Sequence, residues 1–409
     1  RNLRRDLTGQ DDMEAYRIDG REALRDYREH ADPYPAAPQV LVLDYMVTRV
    51  YPAGSARHLV HQITRVQSEE AKDRLGQYRT RGRLLTLRAI TPDGRELEPE
   101  RIRGVNSIPL TELAIGDYLE EEYIWTTRPR LNGGFLSSGW SFSSPVQPFH
   151  RSELLAVVPE GMNLVVERTG DAPPAERPTR NGETVYRWKM EGVPIFEQEP
   201  ATVPTPELRP TMRFGVGAGW GPWFLAEHDF LMDKDPSHPV GRALCRDLVR
   251  GAESREDAVG RVVRWVRANV DAARDSWGGN GPAMLLAGEG DPLRVSRYVM
   301  NECDLGAELA LVRNVHEPEP GELANGGLYD TPLLYLPATD DEAELFVAFG
   351  GRDASWRWIP SALRGQDAVV LSEGYPRVQV PDSGPATDLR TYRAEVELGP
   401  RGSATVRAE

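Results

Sequence analysis

The sequence predicts a multi-domain α+β chain: an N-terminal helix, an antiparallel β-sandwich, an α+β domain whose helices precede its sheet, and the start of a further β domain. Three observations predict it. From Val40 to about residue 200, β-branched and partly alternating runs are divided by Gly, Pro and Asp turns. Between Ser254 and Val270, valines recur at helical spacing. After Gly306, short apolar strands replace the helices.

Each element follows from its residues. "DDMEAYRIDGREALRDYREHA" (11–31) is polar and helix-favouring, and "DPYPAAP" stops it because prolines lack backbone donors and restrict the residue before them. This helix reads as an isolated arm or as the last helix of an upstream array. "QVLVLDYMVTRVYPAGS", "ARHLVHQITRVQS", "GRLLTLRAITPDG", "GDYLEEEYIWTTR", "ELLAVVPEGMNLVVERTG" and "ETVYRWKMEGVPIFEQEP" supply at least six strands, with "TPDG" a strong turn signal. "ATVPTPELRPTMRFG" reads as a proline-rich linker. In "ESREDAVGRVVRWVRANV", Ser254 and Asp257 form a capping-box variant, and Val259, Val262, Val263, Val266 and Val270 form one apolar face. "GEGDPLRVSRYVMNECDLG" is a loop, a short amphipathic helix and a glycine stop; "AELALVRN", "TPLLYLP", "AELFVAFGG" and "QDAVVLS" follow as strands. "DLRTYRAEVELGPRGSATVRAE" reads as a hairpin, which is rarely stable alone and so begins a further β domain. The plan is a helical segment (1–36), the sandwich (37–202), a junction (203–239), the α+β domain (240–375) and the hairpin (376–409).

Composition narrows the function. The chain has 409 residues and a net charge of −14, with no basic stripe, which argues against nucleic acid as a partner. Lysine occurs only at positions 72, 189 and 234, a bias read as genomic. Cys245 and Cys303 allow one disulfide but no framework or zinc site, and the seven histidines form no H-x-x-x-H pair, so neither a metal nor another cofactor is expected. No apolar run approaches a membrane span. The opening "RNLRRDL" lacks an initiating Met and reads as a mature or excised fragment.

The run "LLTLRAITPDGRELEPERIRGVNSIPLTELAIGDYLEEEYIW", within residues 40–200, resembles the β domain of unknown function that precedes many bacterial transglutaminase-like domains. Residues from about 240 to 373 resemble the transglutaminase-like core that follows it. That resemblance implies a papain-like Cys-His-Asp scaffold, often extracytoplasmic, which leans toward the periplasm. In active members a "GDC" tripeptide sets the cysteine at a helix N-terminus, where free N–H groups and the dipole favour thiolate. Here "GEGDP" stands in that place: Asp291 suits the N-cap and Pro292 the first helical position, but no nucleophile remains. The family's histidine position falls on Thr331 in "YDTPLLYL", and its aspartate position on Ala348 in "FVAFGG". Trp277 is then a cleft wall or a packing residue under the glycine-rich loop. The resemblance implies an inactive relative serving as an interaction or scaffold module for a protein, a peptide or a cell-wall component.

Two rival readings stay open. An acyltransferase or peptidase could use Cys303 with His316, although Cys303 ends its helix, where the dipole disfavours thiolate. A carbohydrate-binding module could use the sandwich or Trp220 and Trp223, which equally suit anchoring a linker. Glu120, Glu121 and Glu122 alternate faces along a strand, cannot form one carboxylate pair, and read as a solvated edge.

Overall fold

The computed structural model describes residues 11–29, 34–79, 81–99, 107–129, 131, 133–177, 179–180, 182–197, 205–232, 235–274, 277–315, 319–349, 355–382, 393–399 and 403–408. They form two compact units, one of 1–226 with 318–325, the other of 227–317 with 326–409. No helix among the described residues is long and apolar enough to cross a membrane.

The first unit contains α1 (Gly20–Glu29) and strands β1 (Gln39–Val50), β2 (Ala56–Val66), β3 (Arg83–Ile90), β4 (Tyr118–Thr127), β5 (Phe149–Pro159), β6 (Val165–Thr169), β7 (Glu183–Val193) and β8 (Thr211–Val216). Eight strands pair in the order 179–180, β7, β5, β1, β2, β4, β3, 96–97. Every pair is antiparallel except β1 with β5, which run parallel in register Leu43 to Arg151. The strands of that parallel pair are nearly a hundred residues apart in sequence, a link that no local pattern reveals. A second sheet, built on β6 and β8 with strands at 135–136 and 140–141, covers one face of the first. Phe135, Phe142, Met212 and Phe214 interleave there with Leu154, Ala156, Tyr186 and Trp188 from the large sheet. The expected sandwich is therefore present, with one parallel pairing inside it.

Helix α1 is not an isolated arm. Met13, Ala23, Leu24 and Tyr27 pack on Leu43, Tyr45, Val47, Leu59 and Ile63, on the opposite face of the large sheet. β8 lies within the stretch read as linker, because its apolar residues Met212 and Phe214 complete the second sheet.

Helix α2 (Trp220–Met232) crosses the division between units. The second unit has α3 (Pro239–Val249), α4 (Arg255–Asn269), α5 (Gly281–Ala287) and α6 (Pro292–Glu302), then strands β9 (Glu308–Val312), β10 (Thr331–Leu336), β11 (Leu345–Val347), β12 (Asp367–Val370) and β13 (Arg377–Gln379). These form one antiparallel sheet in the order β11, β10, β9, β12, β13. α4 starts as its cap predicts: the Asp257 N–H donates to Ser254 Oγ at 3.1 Å, and Val259, Val262, Val263 and Val266 are fully buried. α6 packs against α3, α4, α5 and β10. The hairpin pairs Ala394–Leu398 with Ala404–Ala408, Val396 opposite Val406.

Candidate functional site

Asp291 and Pro292, singled out in the sequence, start α6, and local chemistry builds that start. Asp291 is extended (φ −88°, ψ 113°), and its Oδ1 accepts the Arg294 N–H at 3.0 Å. Pro292 takes the first helical position, where no donor is needed. Met284 on α5 packs beside it. A Cβ added at Gly290 would meet Met284 Cγ and Sδ at 2.6 Å, and the Asp291 N–H points at that sulfur at 3.4 Å. The N-terminal turn that favours an anion thus serves a carboxylate cap beside an apolar plug.

Behind this start lies a buried ionic cluster that the sequence reading missed. Asp235 accepts from Arg294 Nη2 (3.3 Å), from Arg297 Nη1 (3.2 Å) and from the Gly281 N–H (2.8 Å). Arg294 is fully buried, which depresses its pKa through desolvation; Asp235 opposes that shift by Coulomb attraction. Arg297 also reaches Glu308 at 3.4 Å. The signal was available in "DPLRVSR", where two arginines three apart share one face of a buried helix, but their partner lies 59 positions upstream of Arg294.

Thr331 opens β10, and Ala348 lies one residue past β11, so the two stand on neighbouring strands. Leu334 pairs with Val347; continuing that register puts Ala348 opposite Leu333, two residues along from Thr331. Strand alternation places Thr331, Leu333, Phe346 and Ala348 on one face. Leu333, Phe346 and Ala348 belong there to an apolar cluster with Ala310, Val312, Ile359, Leu363 and Val370, which draws on no residue of α6. The alternate residues Leu334, Leu336 and Val347 are buried as well, so both faces of the sheet are covered. The Thr331 hydroxyl donates to Asp330 Oδ1 at 3.0 Å, while the Ala348 carbonyl accepts from Arg267 Nη2 at 3.3 Å.

The remaining candidates fall as follows. Trp277 is half-buried in the turn before Gly278, whose position a side chain could not share with the Phe230 ring. Cys303 caps the C-terminal end of α6, its thiol pKa pushed up by burial and by the neighbouring Cys245 thiol. His316 lies outside the described residues. Trp220 and Trp223 form an edge-on pair with centroids 5.9 Å apart beside Phe224, and the Trp220 Nε1–H donates to the Gly321 carbonyl at 2.7 Å. The acidic run is not a solvated edge: β4 is an inner strand, and Glu120 and Glu122 are 3% and 2% exposed. Burial is tolerated because His61 and Arg88 flank Glu120 (2.8 and 2.6 Å), and Arg17 clamps Glu122 with two bonds (2.7 and 2.5 Å). No group of three or more potential metal ligands occurs among the described residues.

These elements define a chain with a sandwich unit and an α+β unit in which a buried helix backs onto an antiparallel sheet. Residues 104–197 match the family model of a domain of unknown function with a solved structure, DUF3857. The fold is shared with a protein described as a putative protease from Parabacteroides distasonis ATCC 8503, at a TM-score of 0.64 and 13% identity, over 85% of this chain and 72% of that one. An M1 zinc metallopeptidase from Deinococcus radiodurans superposes at a TM-score of only 0.25 and 13% identity, over 44% of this chain and 42% of that one, too little to bear on either fold or function. No curated protein matches the sequence.

Proposed function

We propose that this chain is a transglutaminase-like protein whose papain-type site has lost its chemistry, and that it serves as an interaction or scaffold module for a protein, a peptide or a cell-wall component. The observation that supports this reading is the start of α6, where Asp291 caps the helix, Pro292 takes its first position and Met284 packs against Gly290, with no side chain there able to act as nucleophile. Thr331 and Ala348, at the positions assigned to base and orienting carboxylate, have neither chemistry. The relocated alternative has weak support: Cys303 sits at the wrong end of the helix dipole, and its environment favours the neutral thiol. The tryptophans that a glycan would stack on already pack on one another and on Phe224.

The test is ammonia release and amine incorporation on glutamine-containing peptides, measured with the native chain and with Cys303→Ala. The expected result is no turnover from either. Turnover in the native chain that disappears with Cys303 would overturn the reading in favour of the relocated enzyme.

A further inference from the structure

Helices α3 and α6 approach closely at a glycine. A Cβ at Gly241 would meet Tyr298 Cζ at 2.8 Å and Glu302 Cγ at 2.9 Å, so only the bare backbone fits. The same contact is pinned by Glu302 Oε1, which accepts the His238 N–H at 3.0 Å. Cys245 lies one turn beyond Gly241 on the same face of α3. Gly241 therefore packs on the row Tyr298–Glu302 of α6, and Cys303 follows Glu302 at the end of that helix. Cys245 is near enough to Cys303 to help burial push the Cys303 thiol pKa up. Both are free; Cys245 is buried and Cys303 is partly exposed at the helix end.

We propose that Cys245 and Cys303 form a reversible redox pair, in which oxidation creates a disulfide tying α3 to the C-terminal end of α6. The oxidant is a small-molecule disulfide such as oxidised glutathione. Cys303, the accessible thiol, loses its proton and attacks one sulfur; the glutathione S–S bond breaks and one glutathione leaves as thiolate. Cys245, deprotonated in turn, attacks the Cys303 sulfur of the mixed disulfide and expels the second glutathione. Two electrons pass from the cysteine pair to the oxidant, and the two protons end on the released thiols. Because the Cys303 thiol is held neutral by its surroundings, the first step accelerates as pH rises. The bond would fix one end of the helix whose other end is the degenerate site.

The test uses the full reduced chain incubated with millimolar oxidised glutathione, quenched in acid, unfolded, alkylated and weighed. Expected are a loss of two hydrogen masses without a glutathione adduct, a tryptic cross-link joining the Cys245 and Cys303 peptides, and reversal by dithiothreitol. The oxidised form should melt roughly 5 °C or more higher, since the closed loop is long. Cys303→Ser should abolish the mass loss and leave Cys245 alkylatable. Full alkylation of both cysteines after oxidant treatment, separate glutathione adducts on each, or a disulfide that appears only in denaturant or between chains would each overturn the proposal.

Discussion

Asp44 sits on the face of β1 that meets the second sheet, its carboxylate accepting from Gln62 Nε2 (2.7 Å) and the Ser152 hydroxyl (3.2 Å). Complete burial raises its pKa to about 6, against the lowering effect of those two bonds. On the same face, burial lowers the His58 pKa to about 4, while the ring bonds Thr48 and Thr127. The signs oppose. Asp44 binds its proton more tightly when folded, so its contribution is full below about pH 4 and is lost as pH rises through 6. His58 binds its proton less tightly when folded, so its contribution is full above about pH 6.5 and is lost as pH falls through 4. Each shift of about two units corresponds to about 3 kcal/mol, and the two nearly cancel in the native chain between pH 4 and 6.5. Asp44→Asn removes one side of that balance. Urea melts should show the variant more stable than native by about 1–3 kcal/mol at pH 8, with the advantage gone at pH 4; a pH-independent difference would contradict the assignment. If Pro292 and Thr331 hold the positions proposed for nucleophile and base, Pro292→Cys should react with an alkylating probe yet turn over no amide substrate, because Thr331 cannot relay a proton. Peptide turnover by that single variant would show that a base had been overlooked.

Among the elements, α1 and α6 are held by charges that the sheet or the neighbouring loop must neutralise. Arg17 precedes α1 and closes on Glu122, whose other hydrogen-bond partner is the Thr86 hydroxyl at 3.2 Å. Arg17→Ala should cost about 2–4 kcal/mol in a urea melt, because it leaves a buried carboxylate unpaired. Adding Glu122→Gln should recover part of that loss, whereas purely additive losses would show that the pair is not coupled. In α6, Asp235 is the carboxylate shared by Arg294 and Arg297, so Asp235→Ala should destabilise the second unit by about 3–5 kcal/mol. Thermal unfolding followed by tryptophan fluorescence checks this, and a loss below about 1 kcal/mol would mean the cluster is a solvated surface pair.

At the scale of the molecule, each compact unit has its own apolar clusters, and a single cooperative transition is not expected of such a chain. Calorimetry should resolve two transitions. Asp44→Asn should move one of them and Asp235→Ala the other; a variant that moved both equally would show the units unfolding together.

The sequence by itself determined the class of fold and most element boundaries, because those depend on local periodicity, caps and turns. The valines of α4, the Ser254 cap, the Asp291–Pro292 helix start and the hairpin at 394–408 all lie where the residues put them. It also fixed the residue types on which the proposed loss of the nucleophile rests, Asp291 and Pro292 at the start of α6. Only the tertiary structure decided three other things. The parallel pairing of β1 with β5, the packing of α1 on the large sheet and the place of β8 in the second layer depend on contacts distant in the chain. Glu120 and Glu122 read as solvated because their partners, Arg17, His61 and Arg88, come from other elements. Which face Thr331 and Ala348 present is a question of register, and a slip of one residue would exchange them for Pro332 and Val347 on the opposite face. The physical reason is common to all three: propensity acts within a few residues, whereas pairing, burial and charge compensation act through space between segments that the chain order leaves far apart.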